Sequence, residues 1–490
     1  MVQWTRWARP GVAAVVVATT VLLASGGIGG SSLAGAAANR ARSRPVAKRA
    51  TSGGTLTVLE SSGLVSWPQG LDPMTNNQAQ ADATMSDAIF GMLFQVGPGG
   101  RVTGDLAAGF ALSQGATTLT IHLRKGVVFS DGSPFDAAAV AFNLRRDLSG
   151  SCTCKPSWPV ASITTPNALT VAIHLHSPDG AIVNQFQDSN VNWIASPTSL
   201  RRLGPTRFGL APVGAGPFEV AGDSVDTKLS LVRNPRYWQK GRPYLAGLDF
   251  ESVSSDEAAL EALRAGSAQA FEGLSSPQLV PAFRQAGLTV TTESATDPYA
   301  VQLNTLAPPF NRLVAREAVY YATNASLLDR KIFNDAEPVT ESFTSPGGLF
   351  YEPKVPGYRT YDLAKAKALV KQLGGLHFSL AYGSESSTGP TLAEALQAMY
   401  AQAGISVTLV NLSLPELIQA YEAHKWQAAE ANLGSWDPSA GIGVAFRFFS
   451  RSPFTGVDDP TLDRLILQAE ASSSPAARAA LYGRIAQLIS

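Results

Sequence analysis

Between Thr118 and Leu148 the sequence changes period in a way that fixes its local structure. Leu119, Ile121 and Leu123 alternate with Thr118, Thr120 and His122, the period of two that turns one face of a strand toward a core. Asp131-Gly132 then supplies turn chemistry, and from Phe135 to Leu148 the residues Val140, Leu144 and Leu148 recur every four positions, a helix stripe. Ser133-Pro134 is expected to open that helix. Strand, turn and helix in this order is the unit of an α/β layer.

The same succession recurs along the chain. GTLTVLE from Gly54 alternates as a strand, a loop ends at Leu71-Asp72-Pro73, and Met85, Ile89, Met92 and Leu93 then form one packing stripe of a helix. Asp362 is placed to cap a helix carrying Ala366, Leu369, Val370 and Leu373, which stops at Gly374-Gly375 before Phe378 and Leu380 resume an extended run. Helix and strand alternate again from Thr391 to Leu412. Such alternation predicts mixed sheets, whose ligand crevice lies beyond the strand ends.

The first residues carry a different signal. Arg6 and Arg9 precede an apolar run from Gly11 to Ala24, and small residues continue to Ala36-Ala37-Ala38, the pattern of a secretory leader over residues 1–38. The glycines and serines between Gly26 and Ser32 argue against a lipid-spanning helix. Where lipid anchoring would need a Cys after Leu23-Ala24-Ser25 there is Gly26, so the exported protein is expected at the outer face of the cell membrane or in a periplasm without a thioether lipid. Residues 39–53, with five Lys and Arg among small residues, predict a flexible basic linker.

Lys plus Arg and Asp plus Glu both total 38 across 490 residues, so no global field recruits a polyanion, and nucleic acid is not an expected partner. Cys152 and Cys154 are the two cysteines; an exported setting permits them to oxidise, and a local disulfide or two inert thiols outrank a metal site because no other Cys or His lies nearby. His122, His174, His176, His377 and His424 are dispersed. Neither a nucleophile elbow, H-E-x-x-H nor a phosphate-cradling G-x-x-x-x-G-K occurs, so no catalytic residue, metal or cofactor is expected. Asp458-Asp459 before Pro460 reads as a helix cap. Loop aromatics point instead to binding: Trp67, Trp193, Tyr299 and Trp436 with Asp437, each weighed against simple packing.

HLRKGVVFSDGSPFDAAAVAFNLRR, from His122 to Arg146, resembles the signature of the peptide and nickel class of bacterial solute-binding proteins, family 5. PVGAGPF from Pro212, LVRNPRYW from Leu231, KGRPYLAGLDF from Lys240, QLNTLAPPFNRLVAREAVYYATN from Gln302, YDLAKAKALVKQLG from Tyr361 and the stretch from Asp458 to the end follow in that family's order. The resemblance implies a two-lobed periplasmic-binding-protein clam-shell of type II, peptide-binding class, with an extra subdomain in the first lobe. Its expected divisions are 54–95 with 205–295 for the core of lobe 1, 96–204 for the inserted subdomain and 296–490 for lobe 2.

The resemblance also implies a non-enzymatic function: a monomeric receptor that takes an oligopeptide or similar polar solute between its lobes and presents it to the permease of an ABC importer. A sensory receptor of the same fold, a peptidase and a nickel-chelate binder are the rival readings. Peptide-binding members place an amine-binding aspartate in a loop after Gly-Trp; here NLGSWDPSAGIG is short, and Asp437 is either that carboxylate or the loop's later Asp-Pro. Trp436 is expected to stack on or cap the ligand. Family members usually continue past the last helix with a strand that returns to the first lobe, whereas this sequence stops at Ser490.

Overall fold

The computed structural model describes residues 14–18, 52–61, 70–76, 83–97, 101–150, 156, 158–187, 189–224, 227–274, 276–292, 298–335, 337–383, 388–433, 444–450 and 452–490. In chain order its strands begin with β1 (Ala14–Ala18), β2 (Thr55–Ser61), β3 (Phe94–Gly97), β4 (Arg101–Gly104), β5 (Ala107–Leu112) and β6 (Thr118–Leu123). There follow β7 (Val160–Asn167), β8 (Thr170–Leu175), β9 (Phe218–Ser224), β10 (Lys228–Arg233), β11 (Gly247–Val253) and β12 (Ala270–Glu272). The last are β13 (Leu288–Thr292), β14 (Tyr299–Leu303), β15 (Leu376–Gly383), β16 (Ile405–Leu412) and β17 (Ala428–Asn432).

A seven-stranded sheet in the order β13-β1-β12-β2-β11-β10-β9 forms the first lobe, and a four-stranded sheet in the order β14-β17-β15-β16 forms the second. The chain between β2 and β9 builds a further four-stranded sheet, β5-β6-β8-β7, and the β3-β4 pair. In the large sheet β2 runs parallel to both β11 and β12. Both faces of each lobe's sheet are covered, which the period of two explains: Val58 enters one core with Phe250 and Leu231, while its neighbour Leu59 enters another with Phe271 and Phe283. In the second lobe Ala428 packs with Phe378 and Leu380, and Ala429 with Tyr421 and Trp426.

Two boundaries differ from the sequence expectation. The helix over Ala137–Leu148 is capped by Asp136, whose Oδ1 accepts from the Ala139 N–H at 2.9 Å. Ser133 and Pro134 stay in the turn before it, where the Phe129 N–H donates to the Ser133 carbonyl and Pro134 bridges Val128. Ahead of it, the helix over Ala83–Phe90 ends before Met92 and Leu93, because Gly91 takes φ +67° and turns the chain; both residues are buried all the same.

Asp131 holds that turn to the rest of the lobe. Its carboxylate accepts from the Ser133 N–H at 2.9 Å, the Ser133 hydroxyl at 2.6 Å, the Ser196 hydroxyl at 2.6 Å and the Ser199 hydroxyl at 2.7 Å. Partial burial raises its pKa, but these donors outweigh it and leave the group below the usual carboxylate range.

Within the stretch read as a leader, Ala14–Ala18 forms a strand that pairs antiparallel with β12 on one side and β13 on the other. At the other end of the chain, Asp459 caps the helix over Pro460–Ala471 by accepting from the Thr461 and Leu462 N–H groups, and the helix over Pro475–Ile489 packs back on it around Leu465, Ile466, Tyr482 and Ile485. The turn between these two helices meets the loop after β8 at Gly180. Among the described residues no helix is long and apolar enough to cross a membrane.

Candidate functional site

Crevices in open α/β sheets lie beyond the carboxyl ends of parallel strands. In the second lobe β15 runs parallel to β16 and β17, so all three deliver their following loops to one edge, while β14 is antiparallel to β17 and starts there. Tyr299, the first residue of β14, stands opposite Asn432, the last of β17. The Leu433 N–H donates to the Pro298 carbonyl at 3.1 Å and closes that corner. Residues 434–443, which follow in the sequence, lie outside the described residues.

Tyr299 is 40% exposed and its ring lies 5.5 Å from that of Phe333, so one side packs and the other faces solvent at the strand edge. It is brought to the base of the loop that carries Trp436 and Asp437; those two residues, and Trp67 in the loop after β2, lie outside the described residues, as do Cys152 and Cys154. Trp193 sits elsewhere. No part of its side chain reaches solvent, it packs with Met85, Phe90 and Phe208, and its indole N–H donates to Asp87 Oδ1 at 2.7 Å.

At the carboxyl end of the parallel strands in the first lobe, Glu60 on β2 and Glu272 on β12 lie opposite one another. Glu272 accepts from the Thr84 hydroxyl at 2.7 Å, and burial raises its pKa against that hydrogen bond. Glu60 is 1% exposed. Two carboxyl groups thus stand at this end of the sheet, ahead in sequence of residues 62–69, which include Trp67 and lie outside the described residues.

Glu430 is the residue that sequence reasoning passed over. It lies on β17 opposite Val301 and on the face of Ala428, under the start of the helix over Thr388–Gln402: a Cβ on Gly389 would stand 3.6 Å from Glu430 Oε2. Its Oε1 is buried and accepts no hydrogen bond from the described residues, and burial pushes the carboxyl up to about 8. In the sequence AAEAN it looks like an ordinary outward polar residue of a strand, and only the packing of a helix over it makes it unusual.

His174 lies between the hydroxyls of Thr118 and Thr164, at 3.3 and 3.2 Å. Among the described residues no group of three or more His, Cys, Asp or Glu side chains is arranged to hold a metal.

The family model of bacterial extracellular solute-binding proteins, family 5 (middle region), matches residues 101–452. The chain belongs to this family. Among curated relatives of this family 5 protein, the glutathione-binding protein GsiB of Salmonella paratyphi A is 27% identical over 379 residues, 76% of this chain and 73% of the relative. Among solved structures, HbpA2 from Haemophilus parasuis superposes with a TM-score of 0.76 at 21% identity, covering 89% of this chain and 92% of that one. The ABC transporter-associated periplasmic binding protein DppA from Helicobacter pylori, in complex with the peptide STSA, gives 0.67 at 22% identity and 90% of each chain. These likenesses establish the type II two-lobed fold of the peptide-binding class. Solute-binding proteins of family 5 bind small ligands and serve ABC importers, and the relatives found here are binding proteins.

Proposed function

We propose that this protein is the extracytoplasmic receptor of an ABC importer and that it binds a peptide or similar polar solute between its lobes. The observation that supports this most is the meeting of family 5 membership with the edge of the second sheet, where Tyr299 and the start of loop 434–443 come together at the strand ends. GsiB is named for glutathione, and DppA was solved with the peptide STSA. On this reading Trp436 caps the ligand, Asp437 draws its cationic end, Tyr299 and Trp67 line the walls, and Trp193 acts from behind by fixing the helix over Ala83–Phe90 through Asp87.

The receptor works as a monomer with the permease as its protein partner; it turns nothing over and holds no cofactor. Residues 1–38 direct export and are removed, and no thioether lipid is attached. Mass spectrometry of small molecules released by denaturing the purified mature protein tests this, because a tight receptor retains its ligand. Peptides in the extract are the expected result; a sugar or a metal chelate would keep the receptor and overturn the peptide assignment.

A further inference from the structure

Buried carboxylates in folded proteins are hydrogen-bonded, and one that is not calls for a reason. Glu430 is half-buried, its Oε1 is enclosed, and no donor from the described residues reaches it. The position is not remote from the crevice: two residues further along β17 stands Asn432, opposite Tyr299, and the next described residue, Leu433, begins the step into loop 434–443. On the same sheet face the cross-strand neighbour is Val301 and the residue below is Ala428, both apolar, so nothing in the sheet requires a charge here.

We propose that Glu430 is a specificity-determining residue of the crevice, whose unpartnered oxygen accepts a hydrogen bond from a cationic N–H donor, an ammonium or guanidinium group, of the bound solute. The inference rests on the receptor reading above and adds to the role proposed for Asp437 a second acceptor, set in the sheet. A fixed strand holds its geometry better than a loop does, so Glu430 selects the donor's position while Asp437 attracts its charge.

Proton linkage gives the inference a signature. Burial holds Glu430 largely as the neutral acid at pH 7, and a bound cation favours its carboxylate, so binding releases a proton from Oε1 or Oε2 to solvent. Tyr400, on the helix above, is buried, and burial raises its phenol above the usual range; Tyr382 on β15 and Tyr299 on β14 stand on the two neighbouring strands.

The test compares the whole mature protein with Glu430→Gln and Asp437→Asn, using calorimetry in two buffers of different ionisation enthalpy. The probes are trialanine, glutathione and the free-amine members of a di- to pentapeptide library, each beside its N-acetylated form. The expected result is that Glu430→Gln binds the free-amine probes at least tenfold more weakly, no longer releases the proton, binds acetylated forms as before and melts no lower than the wild type. Equal affinity and equal proton release in Glu430→Gln would remove Glu430 from the site while leaving the receptor intact. A lower melting temperature with unchanged affinity would make it a packing residue. Failure of the wild type to bind any probe would overturn the peptide reading first, and this inference with it.

Discussion

The amide N–H of Gly180 donates to the carbonyl oxygen of Glu470 at 2.5 Å, a bond between the loop after β8 and the end of a helix nearly three hundred residues later. Arg478, itself buried, returns a hydrogen bond from Nη1 to the Gly180 carbonyl at 3.3 Å, and its guanidinium lies 5.0 Å from the ring of Phe350. The inserted sheet is thus tied to the helical pair of the second lobe, and the approach is closer than any side chain permits: a Cβ at position 180 would stand 2.2 Å from the Ser472 carbonyl oxygen.

Gly180→Ala is therefore expected to lower stability by about 1–3 kcal/mol through overpacking. The measurement is the urea midpoint of each protein at constant slope. An unchanged midpoint would mean that the Ser472 turn moves aside freely.

Asp131 is expected to matter most near neutral pH. Its folded pKa is lowered, so its contribution is fully present above the unfolded value of about 3.9 and is lost as pH falls through the folded value. Asp131→Ala should destabilise by on the order of 2 kcal/mol at pH 7, since hydrogen bonds to charged groups are among the stronger ones. The gap between variant and wild type should narrow on acidification below about pH 4; a gap independent of pH would assign the effect to packing.

Trp193→Phe keeps the aromatic volume and removes the donor to Asp87. Loss of one partner from a buried polar pair costs about 1–3 kcal/mol, so a lower melting temperature with unchanged ligand affinity is expected. A fall in affinity at constant melting temperature would bring Trp193 into contact with the solute.

Asp437→Asn should weaken cationic solutes more than neutral ones, as calorimetry with a free-amine peptide and its acetylated form would report. Trp436→Ala should reduce affinity for both forms with little change in melting temperature. Equal affinity of Asp437→Asn for charged and neutral ligands would take Asp437 out of the site.

Where local pattern and local structure coincide, the sequence was sufficient. Leu119, Ile121 and Leu123 are buried on β6, Asp362 accepts from the Lys365 N–H as a helix cap, and Asp459 does the same before Pro460. Family 5 membership was also legible, in the run from His122 to Arg146. Tertiary facts were not. Trp193 reads as a loop aromatic in VNWIAS because nothing local says that helix Ala83–Phe90 will cover it. Glu430 is hidden for the same reason, and Gly180 looks like any turn glycine until the distant Ser472 arrives against it.

The position of β1 has a mechanical consequence. Among the described residues, β13 joins the large sheet through β1 and through no other strand, and β13 is the segment from which the chain passes to β14 in the second lobe. If residues 1–38 are removed as proposed, that tether would go with them, and β13 would hold the lobe by side chains such as Leu288 and Val290 against Phe271 and Phe283. Without β1 the crossover would be more compliant. On that proposal, a chain that keeps β1 would resist lobe movement more than one that has lost it.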